Sequence, residues 1–481
     1  MTAILGAGIS GLSAAYYGLN NPKITSLVIF EASNRVGGWI RSLKQPDGTI
    51  FEQGPRVIRA NSLQILELVE ELELSAEIIP VKYNHDAARN RYIYSNNALH
   101  CVPNSISGLF TKNTLLNRPL TYHLWKDFKA RKVTKDDESV YNFMERRFGK
   151  DLPEKLIAPV FCGIYGGDIH ELSAKSCMTS LFEAEQKHGS IVKGLIFNKF
   201  HEILKKKKET ETKPETDTEI NIKPNKPPSQ LVQRAKTEVW RIWGIEGGFE
   251  QLPQKLAKNI TERGINIKMQ HTCEKLTFNK DYVELTVNGK NEKYSQVISS
   301  LPAKNLANLV QEQHPHLSKE LCSIPTVSIA VVNLQFSENV LPISAFGVLV
   351  PPKEKIPILG VLFDSCVVPQ NSKMTVLTVM MGGAWFQQYF SECSSEEQFK
   401  TVAIKYVKEI LGIDEDPKAF HVSILKDCIP QYTLGHEQRL NRIRKYIAAH
   451  KIPLVLCGSS YQAVGVPDVI LSAKQAVSDI N

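Results

Sequence analysis

No run of the 481 residues is apolar for the ~20 positions that a membrane-spanning helix needs. The most apolar stretches, Ser328–Leu334 and Pro453–Cys457, are far shorter, so any membrane contact is expected from one side. Cysteines with metal-ligand or redox spacing are also missing. The nine cysteines are scattered, none forms CxxC, and they read as reduced thiols, mostly in cores, with no metal centre expected. Charge of a single sign is missing as well: 58 Lys and Arg face 50 Asp and Glu, a net charge of +8. That modest excess fits affinity for anionic lipid or an acidic substrate better than a nucleic-acid protein, which would concentrate the charge in a stripe. There is no internal repeat. The first strand begins at Thr2 with no basic or Arg-rich amphipathic stretch before it, so no cleavable targeting segment is expected.

What is present is a globular composition, with 42% hydrophobic and 22% charged residues, in a chain long enough for two or three domains. Thr2–Leu5 reads as a strand, Ile9–Leu19 as a helix and Leu27–Phe30 as a second strand. Residues 62–79 have helical apolar spacing, and Cys101 to Phe200 reads as mostly helical with breaks at Pro119, Pro153 and Pro159. The stretch from Lys205 to about Gln230 mixes both charges with Thr and Pro. It has too little apolar surface to offset chain entropy and reads as a disordered insertion. Beyond it a Gly-Gly turn, a helix and a strand are followed by strands around Cys273–Phe278, Val283–Val287 and Gln296–Ser300. Residues 324–390 alternate in strand fashion, and the tail from Ile452 returns to strand, glycine turn and a helix from Val469.

Gly6-x-Gly8-x-x-Gly11 lies between the first strand and the first helix. The first glycine permits the tight turn, the second lets backbone approach a pyrophosphate, and the third lets helix pack on strand. The helix N-terminus supplies free N–H groups for phosphate, and Glu31, closing the second strand, is placed to accept from ribose hydroxyls. Glu31-Ala-Ser-Asn-Arg35-Val-Gly37-Gly38-Trp39 follows at once. An ExxxRxGG stretch in this position resembles the flavin amine oxidase superfamily, in which the Arg and Gly-Gly sit against the pyrophosphate of FAD.

Further blocks narrow the resemblance: GGWIRS (37–42), FEQGPRVIR (51–59), NRYIY (90–94), HELSAKSC (170–177), VVNLQF (331–336), FGVLVP (346–351), VMMGG (379–383), IPQYTLGH (429–436) and GSSYQAVGVPD (458–468). In this order, over essentially the whole chain, they resemble the protoporphyrinogen oxidase family. The resemblance implies an α/β fold, α+β overall, with three parts. A Rossmann-like FAD-binding domain would span 1–84, 237–305 and 450–481, and a mixed-sheet substrate domain 85–98 and 306–449. A helical membrane-docking domain would span 99–204, with a disordered insertion at 205–236.

It also implies residue roles. Gly6, Ala7, Gly8, Ile9, Ser10, Gly11, Glu31, Ala32, Arg35, Gly38, Trp39, Gly54, Pro55, Arg56 and Val57 would contact FAD, with Thr272 holding the adenine by its backbone. Gly458, Val464, Gly465 and Val466 would meet the isoalloxazine. Arg91 would pair with a substrate propionate, and Phe346, Gly347, Leu349 and Met380 would bracket the macrocycle. A broad apolar ring with two carboxylates suits flat hydrophobic walls and a cation at one rim. No side-chain base is evident: His170, Asp364 and His436 have no committing spacing, and a backbone carbonyl near Gly347 is the candidate. The implied activity is oxidation of protoporphyrinogen IX to protoporphyrin IX in haem biosynthesis. It would run as three two-electron hydride transfers to non-covalent FAD, with oxygen as acceptor and hydrogen peroxide as product.

The implied setting is the mitochondrial inner membrane, on the intermembrane-space side, peripheral or monotopic on an anionic surface. Ferrochelatase and a second copy of the chain are candidate partners, and nucleic acid is not. The apolar and cationic residues Val102, Ile106, Leu109, Phe110, Leu115, Leu116, Trp125, Lys112, Arg118, Lys126 and Lys129 would make the docking face. The alternatives are another flavin oxidase or desaturase, and a cofactor-free fold relative such as a Rab GDP-dissociation inhibitor. Covalent-flavin amine oxidases carry Cys just before the tail Tyr, where this chain has Ser460.

Overall fold

The computed structural model describes residues 1–104, 106–111, 114–116, 118–199, 201, 229–369, 374–393, 395–462 and 464–480, with the side chains of 106 and 107 excluded. The fold is mixed α/β. Its first layer is a five-stranded parallel sheet, ordered Asn266–Met269, Leu27–Glu31, Thr2–Leu5, Gln296–Ser299, Leu454–Leu456. The central strand Thr2–Leu5 is buried at every residue, as expected of a parallel strand covered on both faces. On one face the helix Ile9–Gly18 packs against Gln251–Glu262 and Val466–Ser478, joining Leu12 and Ala15 to Leu256, Ile260, Ile470 and Ala473. The other face meets a three-stranded antiparallel sheet, Cys273–Phe278, Val283–Val287 and Lys290–Tyr294, through Val283, Leu285 and Val287.

The second layer is a seven-stranded sheet in the order Ala419–Pro430, Thr326–Phe336, Thr375–Gly383, Ile358–Phe363, Gly347–Leu349, Tyr92–Ser95, Ala98–Cys101. Only Gly347–Leu349 and Tyr92–Ser95 pair in parallel. Alternation along Thr326–Phe336 divides its faces. Ala330, Val332 and Leu334 pack with Phe399, Ala403 and Val407 of the helix Glu396–Leu411. Ile329 and Val331 turn the other way, towards Cys162 and Met380. A small sheet of Ile58–Arg59, Trp240–Ile245 and Ile78–Lys82 bridges the two layers.

Several expectations need correction. The helix expected over 62–79 is Leu63–Glu71 only, and Ile78–Lys82 is a strand, because its apolar residues are taken up by pairing with Trp240–Ile245. The insertion does not run to 236: Ser229 caps a helix, Gln230–Thr237, that buries Leu231, Val232 and Ala235 in the first core, and 202–228 lies outside the described residues. The last helix starts at Val466 rather than Val469, since Pro467 is compatible with a first turn. Ala98–Cys101 carries the second sheet past residue 98, where the helical part was expected to begin.

Three helix ends in the segment 120–199 are tied by charge. Arg147, on the helix Val140–Phe148, is fully buried with Asp127 and Glu185. Its guanidinium donates to the Asp127 carboxylate, to the carbonyls of Asp127 (2.6 Å), Arg131 (3.1 Å) and Gly189 (3.0 Å), and to Glu185 (3.5 Å). Asp127 also accepts from Ser190 Oγ (2.6 Å) and Val192 N–H (2.9 Å). Burial opposes charge on Glu185, but hydrogen bonds and charge from Arg146 outweigh it and hold that carboxyl below its ordinary range. No helix among the described residues is long and apolar enough to cross a membrane.

Candidate cofactor and substrate site

Gly6 adopts a φ of +94° to make the turn after the first strand. Gly11 is required by contact: a Cβ there would lie 1.9 Å from the Gly6 carbonyl oxygen. Gly8 is different. Its added Cβ would meet only the Cα of Gly38, at 3.8 Å, so the protein itself leaves room there. Gly8 and Gly37 form a bridge, and Gly37 N–H donates to the Ala7 carbonyl (2.8 Å), holding the two glycine loops side by side. The helix beginning at Ile9 has no side-chain cap and no acid in its first turn, so its N-terminal N–H groups face the cleft uncompensated. Glu31 accepts from Ala7 N–H (2.7 Å) and from Ser33 (2.8 and 2.7 Å), with Ala32 between. An uncapped helix start behind small residues, with a carboxylate one strand away, fits a dinucleotide pyrophosphate and ribose.

Arg35 departs from the expected phosphate contact. It donates to the carbonyls of Val36 (3.0 Å), Gly38 and Ile40 (3.2 Å) and to Glu250 (3.4 Å), so its donors brace the glycine loop from behind. Thr272 also departs: its N–H donates to Asn288 Oδ1 (3.1 Å) and its carbonyl accepts from Asn288 N–H (3.3 Å), which commits the backbone expected to hold adenine. The turn containing it does lie beside the ribose carboxylate, since His271 N–H donates to the Glu31 carbonyl (2.9 Å).

The loop Gly54-Pro55-Arg56-Val57 lies against Trp39. A Cβ on Gly54 would sit 2.1 Å from the Trp39 carbonyl, so only glycine allows the approach, and Trp39 itself is exposed. Arg56 forms a buried ion pair with Asp364, and Thr378 Oγ1 donates to the other Asp364 oxygen (2.6 Å). The Gly54–Val57 loop is thereby fastened to the second sheet. Beneath it Glu52 accepts from Phe249 N–H (2.7 Å) and Ser42 Oγ (2.8 Å). Burial pushes its pKa up to about 7 from 4.5, against those donors and Arg56.

The folded chain therefore keeps a proton on Glu52 at pH values where the unfolded chain has lost it. Its contribution to stability is fully present below about pH 4.5 and is lost as pH rises through about 7. Glu52→Gln is expected to remove that decline, worth up to about 3 kcal/mol between pH 5 and 8. Melting curves of wild type and variant that stay parallel across this range refute the assignment.

On the substrate side, Gly347 has a φ of +154°, and a Cβ there would meet the Val361 carbonyl at 2.3 Å. Leu349 pairs with Gly360, and Gly360 with Met380, so Leu349 and Met380 stand abreast with no side chain between them. The helix Ala158–Tyr165 closes over this wall, its Gly163 approaching Leu349. Phe346 is not brought to the same wall. It packs with Val57, Val81, Ala87 and Val367, with the Arg91 guanidinium 5.4 Å from its ring centroid.

Arg91 is half-buried, donates to the Ala88 carbonyl (2.9 Å), and has its pKa lowered by burial and by the charges of Arg241 and Arg59. None of these three arginines has an ion-pair partner among the described residues, and two of them, Arg59 and Arg241, were not anticipated. Of the other titratable candidates, His170 stacks on Tyr141 and buried His436 on Tyr432, with burial lowering His436 to about 4, while Asp364 is held by Arg56.

The tail joins two cores. Gly458, at a φ of +109°, passes close to Ser10 and Ser300. Val464 packs with Phe161, Leu172 and Tyr432 of the helical core, Gly465 caps the last helix, and Val466 enters the core of the first sheet.

Residues 9–481 match the family described as flavin containing amine oxidoreductase. The chain is 37% identical to protoporphyrinogen oxidase of Bos taurus, covering 99% of this chain and 97% of the relative. It is 36% identical to that of Homo sapiens, covering 99% and 97%. A solved structure from Exiguobacterium sp. 255-15 superposes with a TM-score of 0.78 at 22% identity, covering 100% of this chain and 98% of that one, a likeness of fold. On this full-length similarity the chain is an FAD-dependent oxidoreductase and belongs to the protoporphyrinogen oxidase family of flavin amine oxidoreductases.

Proposed function

We propose that the chain oxidises protoporphyrinogen IX to protoporphyrin IX. The observation that carries this reading is the cluster of Arg59, Arg91 and Arg241, none with an ion-pair partner among the described residues, beside Phe346 and the Gly54–Val57 loop. A dicarboxylate on a broad apolar ring suits that cluster, with the ring lying towards the wall of Leu349 and Met380. FAD, when bound, would supply the redox chemistry as the two-electron acceptor for each of three oxidations, with oxygen as the proposed final acceptor and hydrogen peroxide as its product. The chain's own residues would hold the pyrophosphate at Gly6–Gly11, the ribose at Glu31 and the flavin ring near Val57 and Val464–Val466. It also orients the macrocycle and excludes water. The backbone near Gly347 remains the proposed proton acceptor.

The decisive assay is the fluorescence of protoporphyrin formed from protoporphyrinogen by the purified yellow protein; turnover of amines alone favours an amine oxidase. Arg91→Ala is expected to lower kcat/KM with FAD content unchanged, since losing a partly buried charge pair costs roughly 2–5 kcal/mol. Unchanged kinetics return Arg91 to a structural role.

We also propose that the helical segment docks on an anionic membrane, in keeping with a mitochondrial inner-membrane setting. The supporting surface carries exposed Phe110, Tyr122, Trp125 and Phe128, with Leu195, Ile196 and Phe197. Cations lie over three of the rings: Arg118 on Tyr122 (4.4 Å), Lys129 on Trp125 (4.0 Å) and Lys193 on Phe128 (4.4 Å). Interfacial aromatics paired with headgroup-seeking cations suit that role. Leu115 and Leu116, expected on this face, are buried instead, while Lys112 and the Ile106 side chain lie outside the described residues. Wild type is expected to float with cardiolipin-containing vesicles and Trp125→Asp/Phe128→Asp to stay behind. Equal flotation of the two removes the docking assignment.

A further inference from the structure

Off the free edge of the parallel sheet, far in the strand order from the ribose carboxylate, lies a cavity of about 440 Å³. The helix His436–Ala449, the edge strand Leu454–Leu456 and the last helix bound it, and it shares no residue with the glycine cradle or the substrate wall. Its volume is within the usual range for small-molecule sites, about 300–1,000 Å³. The wall is aliphatic, formed by Leu440, Ile443 and Ile447 from the helix and Ile452 and Leu454 from the edge. Its exposed members, Arg444, Lys451, Gln462 and Asp479 with Ala448, are polar but for the alanine and mark the mouth.

The polar groups are unbalanced. Neither Arg444 nor Lys451 has an ion-pair partner among the described residues. The one carboxylate on the lining, Asp479, already accepts from Gln475 Nε2 (2.6 Å). Tyr461, only 4% exposed, also lines the cavity, and its hydroxyl has no hydrogen-bond partner among the described residues. Burial holds that phenol in its protonated, donating form. A buried donor without an acceptor is costly, and two free cations at the mouth of an apolar pocket ask for the same complement. Helical spacing produces the arrangement: Leu440, Ile443 and Ile447 turn inward, and Arg444 lies at the rim of the same face.

We propose that this cavity is a second ligand site, for a single-chain anionic amphiphile whose aliphatic tail lies along the helix wall. Its carboxylate or phosphate head meets Arg444 and Lys451. The site adjoins the tail loop at Tyr461 and Gln462, a few residues before the Val464–Val466 junction, so its occupancy bears on the segment that joins two cores.

The test uses the full-length FAD-loaded protein and cis-parinaric acid, a fluorescent fatty acid, below its micellar concentration. Dodecanoate or dodecyl phosphate is expected to displace the probe at least tenfold better than dodecanol. The better of the two anions identifies the head group, and either result supports the site. Two variants at exposed positions locate it: Arg444→Glu/Lys451→Glu removes the cations, and Ala448→Trp fills the cavity. Each is expected to weaken probe binding at least tenfold, with circular dichroism and flavin content unchanged as the control on folding. Probe binding that survives Ala448→Trp, or dodecanol competing as well as dodecanoate, overturns the proposal.

Discussion

Arg147→Ala is expected to lower the unfolding free energy by about 3–5 kcal/mol, the usual consequence of leaving one partner of a buried ion pair uncompensated. Asp127 and Glu185 would both remain fully buried, and the carbonyls of Asp127, Arg131 and Gly189 would each lose a guanidinium donor. Those carbonyls lie just past the ends of two helices, Leu120–Lys129 and Thr179–His188, or within the last turn, so the loss loosens how the segments meet. Arg147→Lys should recover little, because one ammonium cannot reproduce the fork of five donors. Thermal unfolding followed by near-ultraviolet dichroism checks this. A melting temperature within a degree or two of wild type would mean that the network relaxes freely and does not organise these helices.

Gly8→Val is expected to give a folded, colourless protein. The site has room for the side chain against Gly38, but the valine occupies the space through which backbone approaches the pyrophosphate. Gly11→Ala should behave differently, losing stability as well as flavin, because its Cβ collides with the Gly6 carbonyl inside the protein. Flavin absorbance per mole of purified protein, set beside circular dichroism, separates the two effects. A fully yellow Gly8→Val protein would falsify the cradle assigned to residues 6–11.

The contrast between these glycines shows what can be read from sequence. Gly6, Gly8, Gly11 and Glu31 sit within one βαβ unit, where spacing along the chain is spacing in space, and the strands and turn form as the pattern predicts. Alternation likewise marks Thr326–Phe336 and Thr375–Gly383, whose faces divide two cores. The arginine cluster has no such signature. Arg59 and Arg241 are neighbours because Ile58–Arg59 pairs with the strand Trp240–Ile245, and that register joins residues about 180 positions apart. The helix Gln230–Thr237 is obscured for another reason: its buried residues, Leu231, Val232 and Ala235, follow a long polar stretch whose composition dominates any window. Leu115 and Leu116 form an isolated apolar pair with no period, so nothing in the sequence says whether they face solvent or core.

The strand order of the parallel sheet also sets a timetable for synthesis. Thr2–Leu5 and Leu27–Glu31 are made well before their outer neighbours, Asn266–Met269 and Gln296–Ser299, and before the far edge, Leu454–Leu456. At ~5–20 residues per second, the two opening strands stand without those partners for on the order of ten seconds to a minute. The glycine turn is made long before the helix Val466–Ser478 that covers its own helix. Flavin capture therefore waits for that helix to be made. A protein shortened before Val466 should emerge colourless although every residue of the glycine motif is present.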